Sequence, residues 1–142
     1  MATYAANVQS LGVTGLGVPP QSLIATSSVP GSGNWVAPTK GRALVVIGYA
    51  GSIAASGTVT IKLQQASDAN GTGAADVSGY TTLLTWGDTD DNLVKVAEIT
   101  QDTLATIAAS AKPFIALVCT TGGGATVVCS AAVCRLDPQY VG

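Results

Sequence analysis

A chain of 142 residues and 14.0 kDa, 47% hydrophobic but only 10% charged against about 25% in ordinary globular chains, suits one domain with its own core and is too apolar for ordinary disorder. Six scattered basic residues in a chain of net charge −2 and pI near 4.6 argue against neutralising a nucleic-acid backbone, so no nucleic-acid partner is expected. There is no His, which removes the commonest general base and the commonest metal ligand.

The N-terminus lacks the basic and continuous apolar stretches of a secretory leader. Residues 2–39 contain no Asp, Glu, Lys or Arg, and Pro, Gly and Ser interrupt them at Gly15, Gly17, Pro19-Pro20, Ser27-Ser28 and Pro30 to Gly33. No period of two or 3.6 survives that punctuation, so residues 1–39 are predicted to form an extended, uncharged arm ahead of a folded domain at 40–142. Leu11, Leu16, Val18, Leu23, Ile24 and Trp35 are its candidate contact residues. Burying even four such side chains contributes roughly 6–12 kcal/mol before conformational entropy is subtracted. The arm therefore either lies on its own domain as a first strand or two, or lies on a neighbouring subunit.

Beyond Lys40 the pattern becomes regular. Arg42 to Tyr49 is a β-branched run, read as a strand buried on both faces or nearly so. The apolar stretch 43–55, interrupted by Gly48 and Gly51, is too short to span a membrane, and no membrane partner is expected. Thr58 to Gln64 alternates strictly, with Val59, Ile61 and Leu63 on one face and Thr60, Lys62 and Gln64 on the other. A polar connection follows over 66–79, then strands at Tyr80 to Trp86 and Leu93 to Ile99. Thr103 to Ala111 is ambiguous: Leu104, Ile107, Ala108 and Ala111 fit a helical face, but the surrounding β pattern favours a strand. Pro113 to Cys119 and Ala125 to Val133 are expected to form a hairpin across Thr121 to Gly124. Residues 113–134 carry no charge, so both faces of that hairpin are expected to be covered.

Six or more short strands without βαβ alternation predict an all-β fold, an antiparallel β-sandwich of jelly-roll type. Seven of the eight acids fall between Asp68 and Asp102, the tightest group being Asp88, Asp90 and Asp91 with Asn92. The sixth position of that loop is Leu93 and the twelfth is Ile99, so it fails the EF-hand pattern and reads as a solvated polar turn. Cys119, Cys129 and Cys134 are an odd set without CxxC spacing, read as small buried side chains in adjacent strands, with one bridge plus a free thiol as the alternative. Trp35 and Trp86 read as core or interface anchors. No catalytic, cofactor-binding or metal-ligating residue is predicted, and the chain is expected not to be an enzyme.

The order of these features resembles the small β-sandwich head proteins of tailed bacteriophages. An apolar arm ends at Lys40-Gly41-Arg42-Ala43-Leu44-Val45-Val46, and Gly57 to Asp68 is similar to that group's strand followed by a Gln/Glu-rich Ser-Asp turn. Lys112-Pro113-Phe114-Ile115-Ala116-Leu117-Val118-Cys119 resembles its Lys-Arg-Tyr-Val-Arg-Leu strand, with Pro113, Phe114 and Ala116 departing from that pattern and making the strand more apolar. A Gly/Thr turn, an Ala/Val strand and a short polar tail at 135–142 complete a likeness spanning 40–142. The resemblance implies a capsid decoration or cement protein that stabilises the shell, with the major capsid protein as partner. It implies a virion location after assembly in the bacterial host cytoplasm, and brings no active-site residues. The ion-free tracts separately suggest a homo-oligomer, a dimer or trimer. The competing readings are a tail or head–tail joining component and a carbohydrate-binding sandwich module.

Overall fold

The computed structural model describes residues 18–24, 27–28, 33–38, 43–123 and 126–135. They form nine strands and one short helix: β1 (Val18–Ile24), β2 (Ser27–Ser28), β3 (Leu44–Ala50), β4 (Thr58–Ala66), β5 (Ala75–Asp76), β6 (Leu84–Gly87), β7 (Val94–Ile99), α1 (Gln101–Ala108), β8 (Phe114–Gly122) and β9 (Thr126–Arg135). The strands make two antiparallel sheets. One has the order β1-β9-β3-β7; in the other β2 pairs with β8, β8 with β4, and β4 with both β5 and β6. The described residues are all-β apart from α1.

The inner faces of the two sheets enclose a single core. Val59, Ile61 and Leu63 of β4, Leu84 and Trp86 of β6, and Ile115, Leu117 and Cys119 of β8 come from one side. Leu44, Val46 and Ala50 of β3 and Val127, Cys129, Ala131 and Val133 of β9 come from the other. The strict alternation of Thr58 to Gln64 therefore has its expected consequence: Val59, Ile61 and Leu63 are wholly buried, and Thr60, Lys62 and Gln64 stand on the outer face.

Four expectations from the sequence are corrected. First, β8 and β9 are not a hairpin: β8 pairs with β4 and β2, and β9 with β3 and β1, so the chain crosses between sheets. Small apolar side chains at alternate positions of both segments suit pairing within a sheet as well as facing across the core, so their pattern does not choose. Second, Thr103 to Ala111 is not a strand, since α1 occupies Gln101–Ala108. Thr100 caps it by accepting from the Thr103 amide, Asp102 lies in its positive first turn, and Leu104 and Ile107 at i, i+3 spacing enter the core. Third, Tyr80 to Trp86 is a strand only from Leu84, because the Tyr80 carbonyl accepts from the Leu63 amide and residues 81–82 turn. Fourth, β3 is buried on its inner face only; Val45 and Tyr49 are half-buried and Ile47 is exposed on the outer one.

Within the segment predicted as an arm, Val18–Ile24 and Ser27–Ser28 are strands at the edges of the two sheets. This part lies on its own domain, the first of the two dispositions that the sequence allows. The Lys40-Gly41-Arg42 tripeptide, the centre of the loop at Gly124 and the tail beyond Arg135 lie outside the described residues.

The fit between the sheets depends on one small residue facing one large one. Trp86 reaches across the core to Gly48 in the middle of β3, and a Cβ built there would stand 2.6 Å from Trp86 Cη2 and 2.7 Å from Leu84 Cδ1. Both ring and leucine are fixed by their neighbours, so an added methyl must push the sheets apart. Gly48→Ala is expected to lower stability by about 1–3 kcal/mol in denaturant unfolding. Gly87→Ala, where the new Cβ meets nothing within 4 Å, should stay within about 0.5 kcal/mol of the parent.

Candidate interaction surface

A stack of two sheets has two outer faces, and here they differ in chemistry. On the five-stranded sheet the outer face of β4 carries Thr58, Thr60, Lys62 and Gln64, joined by Thr85 of β6 and Asp76 of β5. Lys62 Nζ and Gln64 Nε2 both donate to the Asp76 carboxylate, at 3.1 and 2.8 Å, and their donation, Lys62 foremost, holds that carboxyl below the usual range. This face is hydrated in the ordinary way of an antiparallel sheet.

Across the other sheet the outer positions of β7, β3 and β9 lie in rungs. Val96 pairs with Ile47 and Ile47 with Ala132; Val94 pairs with Tyr49 and Tyr49 with Ser130; Glu98 pairs with Val45 and Val45 with Cys134. Directly opposed side chains on one face are near neighbours, so these rungs form a continuous surface. Val94 is 61% exposed, Val96 62%, Val128 50% and Ile47 39%. Leu93, 46% exposed, extends the patch at its end. Among the described side chains of this face only Glu98 is charged. Scattered exposed apolar residues need no explanation, but a contiguous patch does.

The pattern of β7 is inverted relative to a solvated strand. Its valines point outward, while Lys95 points in, donating to the Thr85 carbonyl of the opposite sheet at 2.6 Å and to Asp90 at 2.9 Å, with its ammonium 5.8 Å from the Trp86 ring centroid. A lysine turned into the gap at an open edge hinders strand addition there. What β7 offers a partner is its face rather than its edge.

The acidic loop does structural work. Asp88 accepts from the Ser56 amide at 2.9 Å, Asp91 from the Ile53 amide at 2.6 Å, and Asp90 from the Gly87 amide at 3.0 Å as well as from Lys95. Tyr49 OH donates to Asn92 Oδ1, and Asn92 takes a left-handed backbone, φ 57°. Asp88 and Asp91 thus fasten the loop before β7 onto the loop after β3, and Asp90 ties that loop to itself and to β7. No group of three or more His, Cys, Asp or Glu side chains able to hold a metal occurs among the described residues. A groove of about 410 Å³ beside α1 is lined by Gln65, Val77, Asp102, Thr103, Thr106 and Ser110 among others, with Asp102 its one ionisable group. No helix among the described residues is long and apolar enough to cross a membrane.

Of the six candidate contact residues in the N-terminal segment, Val18 and Trp35 are buried within the chain itself. Val18 joins the main core; Trp35 packs with Ala66, Ala116 and Phe114 in a separate cluster on the outer side of β8. Gly71 lets that ring lie flat beneath the 68–72 turn: its φ is +83°, and a Cβ there would stand 2.6 Å from Trp35 Nε1. Leu23 and Ile24 pair through their backbones with Val127 and Thr126. Leu11 and Leu16 lie outside the described residues. Sequence reasoning did not find the valine face, although the alternation of Val94 and Val96 with Lys95 was visible.

The carboxylates of the loops set the acid response. Thr72 amide and hydroxyl, then the Asn70 and Gly71 amides, hold Asp68 below its ordinary value of 3.8; the Gly87 amide, then Lys95, do the same for Asp90. A depressed folded-state value means stabilisation that is present above the ordinary value and is lost as pH falls through the folded one. The thermal midpoint is expected to drop as pH is taken below 3.8, and Asp68→Asn together with Asp90→Asn should flatten that drop while lowering the midpoint at neutral pH. Comparison with family models, with curated proteins and with solved structures finds no match to this chain.

Proposed function

We propose that the protein is a non-catalytic virion structural protein, a decoration or cement protein that seats on a phage capsid lattice through the outer face of the β1-β9-β3-β7 sheet. The observation that carries the proposal is the contrast between that face, lined by Val94, Val96, Ile47, Ala132 and Val128, and the hydrated face of the other sheet. Covering such a surface costs little desolvation, because few charges must leave water. Each of the larger side chains contributes up to roughly 1.5–3 kcal/mol when fully buried. The partner in this reading is the major capsid protein, with self-association into a dimer or trimer as its accompaniment.

The strand orders support a jelly roll. Leaving aside the two-residue β5, eight strands divide between the two sheets in the orders β1-β9-β3-β7 and β2-β8-β4-β6, and the chain changes sheet at every step except from β4 to β6. Two interlocked Greek keys give this arrangement, an architecture of capsid proteins and of lectins. Between those two, the aromatic residues favour the former: Trp35 and Trp86 are buried, and the Tyr49 hydroxyl is engaged by Asn92, so neither indole offers a sugar a stacking platform. The uncharged residues ahead of β1, with Leu11 and Leu16, form the second part of the proposed contact.

The test is cofractionation with heads of the virus that carries the gene. Val96→Lys and Ile47→Lys should each weaken capsid binding at least about tenfold, since a lysine forced into an apolar contact costs more than about 1.4 kcal/mol. Thr60→Lys on the opposite face should leave binding unchanged. Deleting residues 2–17 spares β1 and β2 and tests the N-terminal contribution by itself; a weaker but measurable association is expected. Equal binding by all variants would exclude this face, and loss only with Thr60→Lys would assign the contact to the other sheet.

A further inference from the structure

Cys119 of β8 and Cys129 of β9 face each other across the core from different sheets, both fully buried and both free thiols. They are not neighbours in a sheet: Cys119 is paired with Ile61 of β4, and Cys129 with Ala50 of β3. Their Sγ atoms stand 2.7 Å apart. That is inside the ordinary contact distance of two sulfur atoms, and about 0.7 Å beyond a disulfide bond of about 2.05 Å. Cys134, half-buried, occupies an outer-face register position opposite Val45. The odd thiol of the set is therefore on the far side of its sheet from the pair.

We infer that Cys119 and Cys129 are a dithiol–disulfide pair that ties the two sheets together when the protein meets hydrogen peroxide. Across this 2.7 Å contact either thiol can donate to the other. One of the two, once ionised, is the attacking thiolate. Its sulfur takes the terminal peroxide oxygen as the O–O bond breaks, giving a sulfenic acid; the departing hydroxide takes a proton and leaves as water. The sulfur of the other cysteine then displaces the sulfenic oxygen, which leaves as a second water carrying that cysteine's thiol proton. In sum two S–H bonds and one O–O bond give one S–S bond and two waters; the sulfurs lose two electrons and the peroxide gains them.

The bond would close a short loop and join the sheets at a buried position, so its product is a more stable form of the same fold. The thermal midpoint should rise by about 5–10 °C on oxidation and return on treatment with dithiothreitol. The experiment uses the full chain in two arms, hydrogen peroxide on the folded reduced protein and hydrogen peroxide during refolding from denaturant, so that limited access to the buried pair does not decide the result. Free thiols are then alkylated and the peptides mapped by mass spectrometry. Supporting results are a Cys119–Cys129 cross-linked peptide lighter by two hydrogen atoms, an alkylated Cys134, and the same product from Cys134→Ser. Three alkylated cysteines in both arms, a bond to Cys134, accumulation of sulfinic acid at Cys119 or Cys129, or a bond that lowers the midpoint would each overturn the inference.

Discussion

Two stacked sheets have four faces and can hide only two of them from water. This constraint organises the molecule, because each outer face must then be either hydrated or covered by something else. The five-stranded sheet meets it with Thr58, Thr60, Lys62, Gln64 and Asp76 over most of its surface, and with the Trp35 cluster where Ala66, Ala116 and Phe114 would otherwise be bare. The four-stranded sheet meets it with neither. Its valines and isoleucine remain at the surface, in register across three strands, with Glu98 the one charge among the described side chains there.

The inner faces are built so that this outer face is rigid. Trp86 fills the space above Gly48, its indole nitrogen donating to the Leu93 carbonyl at 3.0 Å, and Lys95 covers the open edge of the ring. That arrangement turns Lys95 of β7 inward and its valines outward. The same loop that bears Asp88, Asp90 and Asp91 holds β7 and β3 together at one end of the patch through Ser56, Ile53 and Tyr49. A surface held from behind in this way loses little conformational entropy when a partner covers it, which favours association through preformed shape. The polar loops and the apolar face are thus parts of one construction: charges fix the frame and stay out of the contact.

Much of this frame was legible in the residues. The alternation placed the side chains of β4 from Thr58 to Gln64 correctly, because a strand with one wet face declares its period. The β8 and β9 segments did not declare theirs. With Ala, Val and Cys at successive positions and no charge between Lys112 and Arg135, either face suits the core, and only long-range pairing with β3 and β4 decides. The helix was obscured by its length: eight residues with two threonines carry weak helical preference, and its cap and core contacts are what hold it. The contact face was hidden for a related reason. Val94, Val96 and Glu98 on one side of β7 and Lys95, Ala97 and Ile99 on the other each mix polar with apolar residues. The burial of Ile99 and the contacts of Lys95 with Thr85, Asp90 and Trp86 show which side faces inward.

The most direct test is a density map of the protein seated on a viral particle, at a resolution that traces strands. The account predicts β7, β3 and β9 turned toward the neighbouring polypeptide, with the valine rungs covered and the Lys62–Asp76 face open to solvent. A map with β4 and β6 against the shell and Val94 and Val96 in water would contradict it.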